Sequence, residues 1–153
     1  MGDISRKEKA MQLFTEGYNC SQSVVLAFAD MLPEDEKTLA MMSSSFGGGL
    51  GRMREVCGAV SGMAIVIGFL YGSYDPADHE AKSAHYARVQ ALARSFEEAN
   101  GSIVCRELLG LSSQHDAPVS TARDAAFYKK RPCKELVGMA AEILDNYLTE
   151  ESL

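Results

Sequence analysis

The run VCGAVSGMAIVIGFLYGSY, Val56 to Tyr74, holds nineteen residues without a charge. Its length approaches what a bilayer span needs. Yet Gly58, Gly62, Gly68, Gly72, Ser61 and Ser73 interrupt it, and no basic cluster marks one flank. We read it as a buried helix from Arg54 to Tyr71, not a membrane span. Gly58 and Gly62 stand four apart, hence on one helix face. Glycine in a helix interior costs roughly 1 kcal/mol relative to alanine. Two of them imply that another backbone, or a cofactor, comes close beside Cys57. Tight helix packing explains them equally well.

Around this run the punctuation reads as further helices. Ser5 and Glu8 make a capping-box pattern ahead of Ala10, Met11, Leu13 and Phe14, and Gly17 ends that helix. Asn19 and Gln22 repeat the signal ahead of Val24, Val25, Leu26, Phe28 and Ala29. Pro33 stops the second helix and opens a third, acidic at its start. Asp75-Pro76 opens a long polar-faced helix that Asn100-Gly101 stops. Ser102 caps a short helix from Ile103 to Leu109. Residues 110–121 read as a loop, and Arg123 to Lys130 as another turn or two of helix. Pro132 opens the last helix, with Leu136, Val137, Ala140, Ile143, Leu144 and Tyr147 at helical spacing. Strand-like alternation is nowhere convincing. The expectation is an all-α, single-domain bundle of about five to seven helices spanning residues 1–153.

Length and composition bound the function. A chain of 153 residues buries enough surface for a core without metal or disulfide staples. Hydrophobic residues make up 46% and charged ones 24%, which excludes a disordered chain. A net charge of −6 lacks the footprint of a nucleic-acid binder. The first eight residues carry charges with no apolar stretch behind them, unlike a secretory signal, so we expect a cytoplasmic protein.

The four cysteines are more informative. Cys20 follows the Asn19 cap, Cys57 sits in the first turn of the fourth helix, Cys105 is three residues past Ser102, and Cys133 follows Pro132. All four therefore fall near helix N-termini. The positive end and free N–H groups there favour a thiolate, which is both nucleophile and metal ligand. The bland reading is burial, since free cysteine is a small hydrophobe. No two are spaced Cys-x-x-Cys, so a zinc ribbon or thioredoxin-like pair is absent. Tertiary structure must bring the thiols together if they act together.

Cys57-Gly58-Ala59-Val60-Ser61-Gly62, with Cys20 upstream and Cys105 and Cys133 downstream, resembles the redox-active proteins named for a C-GCAxxG-C-C pattern. Their hallmark is Cys-Gly-Ala-x-x-Gly with three further cysteines. The glycine-rich approach, Phe46 to Met53, also looks typical, and the likeness covers residues 10 to 145. The resemblance implies that Cys20, Cys57, Cys105 and Cys133 act together in redox chemistry. It also implies modules joined to electron-transfer proteins, where an iron–sulfur cluster belongs. The chemistry itself it leaves open.

Three readings follow. Four thiolates suit an iron–sulfur cluster for electron transfer, or tetrahedral zinc in a structural site. Without metal, the thiols would exchange dithiol and disulfide, with Cys57 attacking because Gly58 leaves its surroundings open. The alternative class is a small-molecule or anion-binding helical module with structural cysteines. There Gly47 to Gly51, followed by Arg52 and Arg54, would present backbone N–H groups to the ligand. Gly58, Gly62 and Arg52 are the cofactor-binding candidates. That loop lacks the Walker lysine and the third glycine of a dinucleotide fingerprint. The third reading is inert, buried cysteines in a structural or assembly protein. An unknown electron-transfer partner is expected, nucleic acid and membrane are not, and a homo-oligomer is compatible with the sequence.

Overall fold

Local signals place most of the helices. In a computed structural model, which describes residues 4–111, 117–119 and 132–151, seven α-helices and two short 3-10 turns form, with no strand among the described residues. They are α1 (Arg6–Thr15), α2 (Cys20–Leu26), α3 (Glu36–Ser43), α4 (Gly58–Tyr71), α5 (His79–Asn100), α6 (Cys105–Leu108) and α7 (Cys133–Glu151). The all-α expectation holds. The expected turns at Arg123 to Lys130 lie outside the described residues, as does most of the loop ahead of them.

The caps explain the boundaries. Ser5 Oγ accepts from the Glu8 amide at 3.1 Å to start α1. Asn19 and Gln22 form a complete capping box at α2, with bonds of 2.9 and 3.0 Å. Gly101, at φ 90°, closes α5. Four starts differ from the sequence reading. The short helix α6 begins at Cys105, not Ile103, with Val104 rather than Ser102 at its cap. The third helix begins beyond Pro33, because Asp35 is the residue that accepts the Thr38 amide, at 2.7 Å. Asp75 caps only a turn, through the Ala77 amide, and Asp78 caps α5 through Ala81. The fourth helix cannot start at Arg54, whose φ is +62°; Cys57 is its cap.

The helix α4 is the centre. Its 14 residues rise about 21 Å, short of a bilayer core of about 30 Å. No described helix is long and apolar enough to cross a membrane. Instead α2, α5 and α7 cover it, while α1 lies against α7 and α2. Phe14, Phe28, Phe96, Leu39, Met63 and Ile67 are fully buried in the core between them. Each such side chain contributes about 1.5–3 kcal/mol by leaving water.

Gly58 and Gly62 create the closest helix approach. A Cβ on Gly58 would sit 2.8 Å from Phe46 O and 3.1 Å from Cys20 Cβ. One on Gly62 would sit 2.8 Å from Val24 Cβ and 3.0 Å from Ser21 O. The neighbour at both positions is α2, so a second backbone occupies the face where a cofactor was the other option.

Candidate functional site

The approach to Cys57 is built by an unusual backbone. Gly48, Gly49, Leu50, Gly51 and Arg52 all have positive φ, 55 to 71°, and Arg54 adds a sixth. Three of these are not glycine, and each costs roughly 1–2 kcal/mol. Hydrogen bonds within the loop hold the conformation. The amides of Leu50, Gly51, Arg52, Met53, Arg54 and Glu55 donate in turn to carbonyls between Ser45 and Leu50, at 2.8 to 3.3 Å. The glycine-rich loop thus spends six successive amides on itself. Of the Gly47 to Gly51 donors in the anion-binding reading, the amides of Leu50 and Gly51 are among those spent. Arg52 Nε donates to Ala117 O at 2.9 Å.

Beyond the loop the chain pairs with the segment before α6. Val56 and Val104 form an isolated antiparallel bridge. Cys57 N donates to Ile103 O at 2.7 Å, and Cys105 N to Glu55 O at 2.6 Å. Alternate residues of an extended pair face opposite ways. Val56, 41% exposed, faces out, which turns Cys57 and Cys105 inward, 4% and 7% exposed. Gly49 lies over this pair: a Cβ there would stand 2.7 Å from Cys105 Cβ.

The other two cysteines arrive from helix starts. Cys20 is the first residue of α2 and Cys133 the first of α7. The Cys133 thiol lies close enough to Cys20 to shift it, and Cys57 and Cys105 act on Cys20 from further off. The structure therefore brings all four cysteines into one region of the fold, each from a helix N-terminus as the caps implied. All four are free thiols. Cys20 is partly exposed, and the other three are buried.

Electrostatics hold two of these sulfurs in the protonated form. The Cys133 thiol and then burial push Cys20 well above an ordinary thiol, and the neighbouring sulfurs add to it. Burial pushes Cys57 up to about 12, although the amides of Ala59 and Val60 face it and offset part of that rise. These are poor conditions for attack by Cys57, whose surroundings Gly58 does not open: α2 and Phe46 fill that space.

One cation enters the cluster. Arg54 is 3% exposed, and its NH1 lies 3.6 Å from Cys105 Sγ. Its carbonyl accepts from the Arg106 amide at 3.2 Å, and Arg106 in turn pairs with Glu55 at 3.2 Å. The sequence reading passed over this contact, since Arg54 looked like part of an anion loop. The signal lay in its place, three residues before the motif cysteine. Ser21 was also passed over. It is fully buried beside Cys20, and its hydroxyl has no hydrogen-bond partner among the described residues.

The residue types suit a metal, but the arrangement does not. Among the described residues, no group of three or more His, Cys, Asp or Glu side chains stands together closely enough to hold an ion. An iron–sulfur cluster or tetrahedral zinc needs four converging ligands. The four thiols lie near one another without that convergence.

Comparison with known proteins agrees with the cysteine pattern. Residues 18–147 match the family described as "Putative redox-active protein (C_GCAxxG_C_C)". The chain belongs to this family, which is defined by redox-active cysteines on an all-helical domain here. Searches among curated proteins and among solved structures found no match.

Proposed function

We propose that this chain performs dithiol–disulfide exchange, with Cys20 and Cys133 as the pair that closes. The observation that carries the reading is that Cys20 and Cys133 begin α2 and α7, two helices packed together, with the Cys133 thiol close enough to shift Cys20. A disulfide between them would bring the two sulfurs to about 2.0 Å. Closing the pair releases two electrons and two protons to an incoming disulfide, which leaves as two thiols. The partner is thus a protein or small molecule carrying a reducible disulfide. Free thiols suit the cytoplasm, where the glutathione pool keeps them reduced.

Electron transfer through an iron–sulfur cluster is the competing use of the same sulfurs. It would require Cys20, Cys57, Cys105 and Cys133 to move into a coordinating set. One experiment separates the two. The chain is purified without oxygen, assayed for iron, zinc and acid-labile sulfide, then treated with oxidised dithiothreitol and mapped by peptide mass spectrometry. We expect a Cys20–Cys133 disulfide and no stoichiometric metal. Iron and sulfide in stoichiometric amounts, lost on Cys133→Ser, would overturn the exchange reading.

A further inference from the structure

We infer that Leu50, with Met53 and Val56 beside it, is the docking surface for a protein partner that carries apolar residues around its disulfide. Single apolar side chains in water are ordinary and need no explanation. Leu50 is different, because its backbone is held in the left-handed region, at φ 70°. A bulky side chain disfavours that conformation, whereas glycine adopts it freely. Gly48, Gly49 and Gly51 around it all have positive φ, yet position 50 is a leucine. Burial does not account for the choice, since Leu50 is 47% exposed. Strain kept for a side chain that is half in water points to function.

Met53 and Val56 continue the surface, each 41% exposed. The Met53 amide donates to Leu50 O at 3.0 Å, so these two residues share one tight turn. Val56 follows at the bridge to Val104, facing out while Cys57 and Cys105 turn in. The charged groups of the stretch are engaged with the chain itself. Arg54 is buried, Arg52 Nε donates to Ala117 O, and Glu55 pairs with Arg106. What the stretch offers outward is therefore mainly apolar, and its complement is apolar too.

The place of the loop selects the occupant. Towards its start, Gly47 lies against the side chain of Asn19, the cap of the helix that Cys20 begins. Further on, Gly49 lies over Cys105 Cβ. A partner seated on Leu50, Met53 and Val56 thus rests beside the elements that carry the cysteines. Exchange joins a sulfur of the chain to a sulfur of the partner, so the partner's disulfide must come to this region. A small hydrophilic disulfide gains nothing from an exposed leucine, whereas a protein with apolar residues around its disulfide does. Docking adds no chemical step to the exchange; it places the disulfide and raises its local concentration.

This assignment rests on the exchange reading for its purpose, and the experiment separates the two. The probe is a cyclic peptide closed by one disulfide and flanked by leucine and phenylalanine, with a serine-flanked control. We expect the reduced full chain to react with the apolar peptide at least about tenfold faster than with the control. Leu50→Asn removes that advantage and leaves the rate with oxidised dithiothreitol unchanged. Leu50→Gly does the same, and its urea midpoint rises because the backbone strain is gone. Equal rates with the two peptides overturn the assignment, as does a Leu50→Asn variant that slows oxidised dithiothreitol equally. Leu50-dependent dimerisation of the chain in analytical ultracentrifugation assigns the surface to a second copy and also overturns it. A thioether analogue of the apolar peptide reads docking without exchange. If it binds the unmodified chain but not Leu50→Asn, and no disulfide peptide reacts, the exchange reading falls and the docking surface stands. If the peptides react but the analogue binds both chains alike, docking falls and exchange stands.

Discussion

Cys57 shows how a residue's surroundings can reverse its apparent role. The motif places it at a helix start, where exposed amides favour a thiolate. In the folded chain it is 4% exposed and its thiol is pushed up to about 12. At pH 8 its alkylation in the native protein should be about a thousandfold slower than in urea, since thiolate fraction scales with that difference from an ordinary thiol. Quantitative mass spectrometry of each cysteine checks this, and rapid native labelling of Cys57 would contradict it. The same shift predicts a stability slope. Below about pH 9 both folded and unfolded chains keep the proton, and the contribution is intact. Between about 9 and 12 the unfolded chain loses it first, so stability falls as pH rises through that window. Cys57→Ser should flatten that part of the urea-midpoint profile. A profile unchanged by the substitution would deny the buried, protonated thiol.

Among the elements, α4 offers an internal control. Gly58, Gly62 and Gly68 share one helix, yet they meet different neighbours. A Cβ at Gly68 meets nothing within 4 Å, so Gly68→Ala should stabilise the protein by up to about 1 kcal/mol through helix propensity. At Gly58 and Gly62 the added carbon strikes backbone oxygens of Phe46 and Ser21. Overpacking of this kind costs about 1–3 kcal/mol, which outweighs the propensity gain. Thermal melts of the three alanine variants therefore split in sign, and uniform stabilisation would show that α2 does not lie so close. The start of α2 is a second test. Asn19→Ala removes one half of a complete capping box and should cost about 1 kcal/mol. Because Cys20 is the next residue, the same change should also slow closure of the Cys20–Cys133 pair.

For the whole molecule, oxidation joins distant parts of the chain. A Cys20–Cys133 disulfide ties the start of α2 to the start of α7 and closes a loop on the order of 100 residues, worth up to about 5 kcal/mol in chain entropy. The oxidised protein should melt well above the reduced one, and Cys133→Ser should erase the difference. Equal melting temperatures with the disulfide confirmed would mean that closure strains the junction of α2 and α7. Such a gap would make the fold's stability depend on redox state, consistent with a family grouped by its redox cysteines.

Short-range physics made much of this legible in the sequence. Caps such as Asn19, periodic apolar positions in α7 and the uncharged run of α4 are settled by neighbours a few residues away. The sequence alone therefore determined the helical class, the starts of α1, α2 and α7, and the placement of all four cysteines near helix starts. It misplaced the start of α4, because positive φ at Arg54 is stabilised by loop carbonyls and α6, which no local pattern announces. It also left open what fills the face of Gly58 and Gly62, and which thiols meet. Those depend on contacts between residues far apart in the chain: Cys20 with Cys133, Cys57 beside Cys105, Arg54 on Cys105 Sγ. Only the packing of α2, α4, α6 and α7 decides them, since burial and charge at a sulfur are set by what surrounds it in space.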